Sequence, residues 1–448
     1  MIDEKQIKDI RADFPALANK RNGRMSIYFD NACTTLTPEP VIKSMNEYYR
    51  NFPGCGGRRS RHWFADEVYS RIEGDSKKNI KGSRALFKEF INARDESEIV
   101  FTQNTTHSIN IVALGFKFNP GDIVLLTDIE HNSNLLPWQR LKKKGIIDIR
   151  FTESDNEGAF DLEKFRLILK ENSVRLVSMA YTSNLTGYTI PAKEIIKLAH
   201  EHGARVLLDA AQTAPYRPID VQDLDVDFLA FSVHKMCGPR GVGILYGKRE
   251  LLGSRPQKEH DNCDAIEPAS LGGGSVGDST YSEYDLLDPP ECFEIGIQNY
   301  PGQIAAGEAV EYVKKISLEN IYTHVNSLNK YLTDALLGEY GNTGWFSIFG
   351  PRDASLRGGI LTFSIKRPNP LGITSDLSDK ANIMIRDGGF CVHSYINKQF
   401  GEGWMRPNHP SEHIIACRVS LYVYNTREEC DIFLKELHNL FEERCYIL

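Results

Sequence analysis

The sequence predicts an α/β fold built on a doubly wound, mostly parallel sheet, followed by a smaller α+β unit. Three observations carry this. From about residue 27 to 247, short apolar runs alternate with helical patterns. Those runs end in polar residues, and two long helical patterns then precede a β-rich tail. Such alternation puts helices on both faces of a parallel sheet and gathers ligands beyond the carboxyl ends of its strands.

Ile99-Val100-Phe101 reads as a strand that leads through Thr105-Thr106 into an amphipathic stretch at 108–113. Residues 122–126 and 175–180 are strand-like, and a helix is expected over 192–202 with Ile195, Ile196 and Leu198 inward. Arg205-Val206-Leu207-Leu208 forms a strand ending at Asp209, and 228–231 and 242–246 complete the series. From 253 to 290 the pattern dissolves into Gly, Pro, Asp and Ser, including Gly272-Gly273-Gly274. A stretch that long reads as a functional flap or an interface loop. Helices over 307–315 and 318–337 and strands over 360–365 and 418–424 follow. The expected division is an N-terminal segment 1–25 packing with the small domain, a large cofactor-binding domain 26–300 and a small C-terminal domain 301–448.

Composition agrees. A chain of 448 residues, 41% hydrophobic and 25% charged, has material for a two-domain globular enzyme and excludes intrinsic disorder. A net charge of -7 leaves no electrostatic footprint for nucleic acid, and Arg58-Arg59-Ser60-Arg61-His62 is too short to alter that. No window reaches the roughly 18 apolar residues that a spanning helix needs. The N-terminal residues carry mixed charge and no apolar run. The nine cysteines form no CxxC pair, which reads as reduced thiols. The expectation is a cytoplasmic protein with neither membrane nor nucleic-acid partners.

The segment Phe231-Ser232-Val233-His234-Lys235-Met236-Cys237-Gly238-Pro239-Arg240-Gly241 lies between two strands. Most lysines are solvated surface residues. Lys235 stands instead among small residues that let backbone approach a ligand, beside Ser232 and His234, which can donate to a phosphate. Asp209 precedes it by 26 positions (235 minus 209), at a strand end in Asp209-Ala210-Ala211-Gln212. That aspartate alone would pass for a helix cap. A strand-end carboxylate paired with a downstream lysine suits pyridoxal 5'-phosphate (PLP): the carboxylate keeps the pyridine nitrogen protonated and the lysine forms the Schiff base.

With these motifs the chain resembles the class V aminotransferase fold family, a branch of the fold type I PLP-dependent transferases. Within it the chain is most similar to the cysteine desulfurases and selenocysteine lyases. The resemblance runs from Asp13-Phe14-Pro15 and Tyr28-Phe29-Asp30-Asn31-Ala32 to Ser420-Leu421-Tyr422-Val423-Tyr424-Asn425-Thr426. It implies that Asn104-Thr105-Thr106 is the phosphate turn, where hydroxyls and free amides at a helix start form an anion site. It implies that His131 lies on the ring face, that Asn184 and Gln212 serve the ring hydroxyl, and that Arg418 clamps the substrate carboxylate. Asn184, Asn31 and Arg386 are implied at the substrate. A homodimer and an acceptor protein for sulfur are the implied partners.

The reaction turns on Cys391. Arg386-Asp387-Gly388-Gly389-Phe390-Cys391 falls where the family carries Arg-x-Gly-His-His-Cys, with Gly389 and Phe390 replacing both histidines. Cys391 is then the expected persulfide carrier of an enzyme that removes sulfur or selenium from L-cysteine or its selenium analogue to give alanine. An aminotransferase, an epimerase or a C–S β-lyase with an incidental Cys391 is the alternative at this stage, and a non-catalytic scaffold the remote one. The loop 397–413 after Cys391 is longer than in compact members and reads as a lid, a substrate selector or a docking site. The family's Glu-x-Gly-Thr reads Glu294-Ile295-Gly296-Ile297, so the hydroxyl expected to reach a neighbouring subunit's phosphate is absent, with Gln298 or Asn299 as candidate substitutes. His409, His413 and Cys417 recur at intervals of four, but Pro410 and the strand pattern over 414–424 break a shared helical face. No metal site is expected.

Overall fold

The computed structural model describes residues 2–56, 60–155, 157–253, 264–367, 370, 372–402, 404 and 414–447. Arg58, Arg59, His409, His413 and most of the 397–413 loop lie outside the described residues.

The main sheet contains β1 (Ile99–Thr102), β2 (Ile123–Thr127), β3 (Asp148–Thr152), β4 (Val174–Ala180), β5 (Arg205–Asp209), β6 (Phe228–Ser232) and β7 (Gly243–Gly247). Their spatial order is β1-β7-β6-β5-β4-β2-β3. The pairings β2–β3, β2–β4, β4–β5 and β5–β6 are parallel. β7 runs antiparallel to both of its neighbours, so one reversed strand is inserted into a parallel sheet. The inner strands are buried on both faces, which is why they read as continuous apolar runs rather than alternating ones. β3, at the edge, mixes exposed and buried residues.

Helices α1 (Thr105–Gly115), α2 (Asn132–Lys143), α3 (Leu162–Glu171) and α4 (Ala192–Glu201) connect these strands. α1 is capped by Asn104 and α3 by Asp161, whose side chains accept backbone N–H groups of the first turn. The turn before α1 lies against β7 at Gly243, where a Cβ would stand 2.5 Å from the Asn104 Cα. Only glycine permits that approach. The ends of β1, β2, β4, β5 and β6 therefore share one edge of the sheet.

After α5 (Tyr300–Ile316) and α6 (Leu318–Tyr340) comes an antiparallel sheet of β8 (Phe346–Phe349), β9 (Ile360–Lys366), β10 (Arg386–Asp387) and β11 (Ile414–Ser420), in the order β8-β9-β11-β10. Helices α7 (His393–Phe400) and α8 (Arg427–Glu443) flank it. The N-terminal segment joins these elements: Ile27–Tyr28 pairs with Ile383–Met384, Asp30 bridges Ser420, and Arg11 ion-pairs with Glu429 at 2.8 Å. In the stretch expected to be irregular, Val276–Ser279 and Tyr284–Leu286 form a small antiparallel hairpin. Cys417 is buried on β11, and burial pushes its thiol pKa up. Among the described residues, no helix is long and apolar enough to cross a membrane.

Candidate active site

The polar strand ends meet in a cleft of about 320 Å³. Asp209, the last residue of β5, is buried there and its Oδ1 accepts the Ala211 N–H at 2.9 Å. Burial raises its carboxyl pKa, while the Ala211 amide and Lys235 pull the other way. Lys235 sits on the single 3₁₀ turn Val233–Lys235 directly after β6. Burial lowers its ammonium pKa, Asp209 opposes this, and Arg418 adds to it. The turn is pinned from the N-terminal segment, because the Thr35 N–H and the Thr34 and Thr35 hydroxyls all donate to the His234 carbonyl.

His131 caps α2 by accepting the Ser133 N–H on Nδ1 at 3.1 Å. Burial, and then the charges of Lys235, Arg418 and Arg386, push its pKa down to about 3, so the imidazole is neutral. His234 is lowered to about 4 by burial and by Lys235. At the start of α1, the Ser232 hydroxyl accepts the Thr105 N–H at 2.8 Å and shares a 2.6 Å bond with the Thr105 hydroxyl. The Thr106 hydroxyl bonds Ser133 at 2.7 Å. Four hydroxyls thus surround one helix start, whose Thr105 and His107 amides are capped within the protein.

On the opposite wall, Arg418 of β11 is 2% exposed. It donates to Asp30 Oδ1 and to the Asn184 carbonyl, each at 3.1 Å, and its guanidinium carbon lies 4.9 Å from the centre of the Phe390 ring. Among the described residues its buried Nε has no hydrogen-bond partner, nor has Gln212 Oε1, while Gln212 Nε2 donates to the Ala32 carbonyl at 2.8 Å. Asn184 Nδ2 donates to the Phe390 carbonyl at 2.8 Å.

Cys391 is free, partly exposed and on the cleft wall. Phe390 and Cys391 both adopt the left-handed region, with φ of 47° and 58°, although neither is glycine. Consecutive left-handed non-glycine residues store backbone strain. External hydrogen bonds hold the pair in place: Asn184 binds the Phe390 carbonyl, and the Asn132 N–H donates to the Cys391 carbonyl at 2.6 Å. Phe390 is buried against Ile129, Leu185, Val392 and Ile396, an apolar site where the family has histidine.

The structure brings every residue expected at the site to this cleft except Asn31. Asn31 does not line it. Its amide is consumed internally, donating to the Ser420 carbonyl at 2.7 Å and accepting the Tyr424 hydroxyl, so it ties the N-terminal segment to β11. Among the lining residues that the sequence does not mark is Cys33, whose Sγ accepts a 2.9 Å hydrogen bond from Arg386 Nη1. Its position directly after Asp30-Asn31-Ala32 was the available signal. The two proposed substitutes for the missing hydroxyl are engaged locally. Gln298 Nε2 donates to the Ile295 carbonyl, and Asn299 caps α5 and donates to the Gly241 carbonyl. Glu294 is buried in a double ion pair with Arg84, beside a second cleft of about 420 Å³.

Residues 27–433 match the family model described as "Aminotransferase class-V". The chain belongs to the class V aminotransferase family. Members of this family are PLP-dependent enzymes. The chain is 34% identical over 432 residues to the probable cysteine desulfurase of Synechocystis sp., covering 96% of this chain and 94% of that one. It is 35% identical to the probable cysteine desulfurase of Pyrococcus abyssi, over 97% of both chains. Among solved structures, the apo cysteine desulfurase of Thermococcus onnurineus NA1 superposes with a TM-score of 0.84 at 33% identity, over 97% of this chain and 98% of that one. The Escherichia coli cysteine desulfurase CsdA, in an S-sulfonic acid form, superposes at 0.80 with 27% identity, over 97% and 98%.

Proposed function

We propose that this chain is a PLP-dependent cysteine desulfurase that carries the removed sulfur on Cys391. The observation that carries the reading is a free, partly exposed cysteine on the wall of the same cleft as Lys235 and the buried Asp209.

The residues present fit the cofactor. Lys235 would hold it covalently, Asp209 would face its pyridine nitrogen, and Thr105, Thr106, Ser232 and the start of α1 would hold its phosphate. The buried Gln212 Oε1, without a hydrogen-bond partner among the described residues, suits a hydroxyl donor. Bound there, PLP supplies an electron sink for negative charge at the substrate α-carbon.

The chain's own side chains then divide the work. Arg418 and Arg386 bind the substrate carboxylate, Arg418 exchanging part of its contact with Asp30 for the new anion. Lys235, its basicity lowered by burial, removes the proton at the α-carbon. His131, neutral because burial and neighbouring cations disfavour its charge, takes the proton at the substrate sulfur. Cys391 Sγ attacks that sulfur, the sulfur–β-carbon bond breaks, and a proton returned to the β-carbon completes alanine. Atoms balance without an oxidant: cysteine plus the Cys391 thiol gives alanine plus the Cys391 persulfide. A protein acceptor removes the sulfur. The enzyme acts as a homodimer in the cytoplasm, with the apolar, 81% exposed Ile297 at the segment the family directs to a neighbouring subunit.

Incubation with L-cysteine, with alanine and sulfide assayed beside Cys391→Ala, tests this. Cys391→Ala is expected to lose sulfide release. Full release by that variant without added reductant overturns the persulfide.

A further inference from the structure

The mechanism above leaves one nucleophile of the cleft unused. Cys33 and Cys391 line the same cavity and are both partly exposed. The other described cysteines differ. Cys237, Cys292, Cys417 and Cys430 are buried, where burial pushes the thiol pKa up, and Cys55 and Cys445 are exposed away from the cleft.

Cys33 is a placed residue. Its N–H donates to the Asp30 carbonyl at 3.1 Å, and the Ala32 carbonyl before it is held by Gln212. Arg386 Nη1 donates to its Sγ at 2.9 Å, which fixes the sulfur beside a cation. Arg386 belongs to β10, five positions before Cys391 (391 minus 386), so one short segment carries both the cation that holds Cys33 and the second thiol. Both sulfurs act electrostatically on the same two cations, Arg386 and Lys235. Arg418 lines the same cleft, and among the described residues its buried Nε has no hydrogen-bond partner.

We propose that Cys33 is a second sulfur carrier of this active site, accepting the outer sulfur of the Cys391 persulfide. The proposal rests on the reading of Cys391 given above. The Cys33 thiolate attacks the outer sulfur of Cys391–S–SH. A new bond forms between Cys33 Sγ and that sulfur as its bond to Cys391 Sγ breaks, and Cys391 departs as a thiolate. The outer sulfur keeps its proton and the total oxidation level is unchanged, so no oxidant or reductant enters. Cys391 is thereby returned to a second substrate before any acceptor has docked.

The test follows the wild-type holoenzyme after mixing with L-cysteine, without reductant or acceptor. Samples are alkylated at intervals and the persulfides are located by peptide mass mapping. The expected result is one added sulfur atom on Cys391 first and on Cys33 later, on Cys391 alone in Cys33→Ser, and on neither position in Cys391→Ser. Sulfur on Cys391 alone at every time in the wild type overturns the relay and leaves the Cys391 reading standing. Its absence from Cys391 throughout overturns the Cys391 reading and the relay with it, and sulfur on Cys33 in Cys391→Ser overturns the order of transfer.

Discussion

Replacing Phe390 with leucine isolates what the aromatic ring does for Arg418. The guanidinium carbon lies 4.9 Å from the ring centre, and Arg418 is only 2% exposed. A cation over an aromatic face contributes about 0.5–1 kcal/mol in water and about 2 kcal/mol when desolvated, and the burial here places this pair at the upper end. Leucine keeps most of the apolar bulk among Ile129, Leu185 and Ile396 but has no ring quadrupole. Such a swap costs less than about 1.5 kcal/mol of stability. Neither side chain suits a φ of 47°, so the backbone contribution cancels between them. If the ring holds Arg418 in place for the substrate carboxylate, a loss of about 2 kcal/mol appears as a rise of about 30-fold in KM for cysteine. In that case kcat stays within about twofold of wild type. The assay is initial-rate alanine formation across cysteine concentrations, with a chemical denaturation midpoint to confirm folding. An unchanged KM refutes the positioning argument, and a fall in kcat alone would assign Phe390 to the placement of Cys391 instead.

Two further outcomes follow from the same region. Cys391→Gly and Cys391→Ala both lose sulfur release, yet the glycine variant should be the more stable by about 1 kcal/mol, because φ of 58° is left-handed; paired denaturation midpoints decide. The folded-state pKa of His131, about 3, lies below its ordinary 6.5, so as pH falls below 6.5 the unfolded chain takes up a proton that the folded protein refuses. Stability therefore declines from pH 6.5 towards 3, at up to about 1.4 kcal/mol per pH unit. His131→Asn should flatten that acid limb in a series of denaturation midpoints, and equal slopes would contradict the assignment.

The central strands were legible in the sequence because burial on both faces writes them as uninterrupted apolar runs. Asp209 and Lys235 were legible because each closes such a run. β3 escaped notice because an edge strand with the pattern of Asp148–Thr152 keeps exposed polar residues among its buried ones. α2 is obscured by Pro137 inside it and by a histidine cap. The reversal of β7 leaves no trace in composition, since parallel and antiparallel inner strands bury the same residue types. The pairing of Ile27–Tyr28 with Ile383–Met384 depends on neighbours that no local pattern contains. For the same reason Asn31 was assigned to the substrate, whereas its amide fastens the N-terminal segment to β11, and Cys33 was passed over although it stands two residues further on. The left-handed backbone at Phe390 and Cys391 was equally hidden, because both residue types normally avoid it.

The contact between Asp30 and Arg418 spans 388 positions of the chain. At a synthesis rate of about 5–20 residues per second, Asp30 leaves the ribosome roughly 20–80 s before its partner is made. Within that interval, from the making of Lys235 to that of Arg386, 151 positions later (386 minus 235), the strand ends carrying Thr105, His131, Asp209 and Lys235 exist without the wall that bears Arg386, Cys391 and Arg418. A newborn chain can thus assemble its cofactor face before it can hold an amino acid.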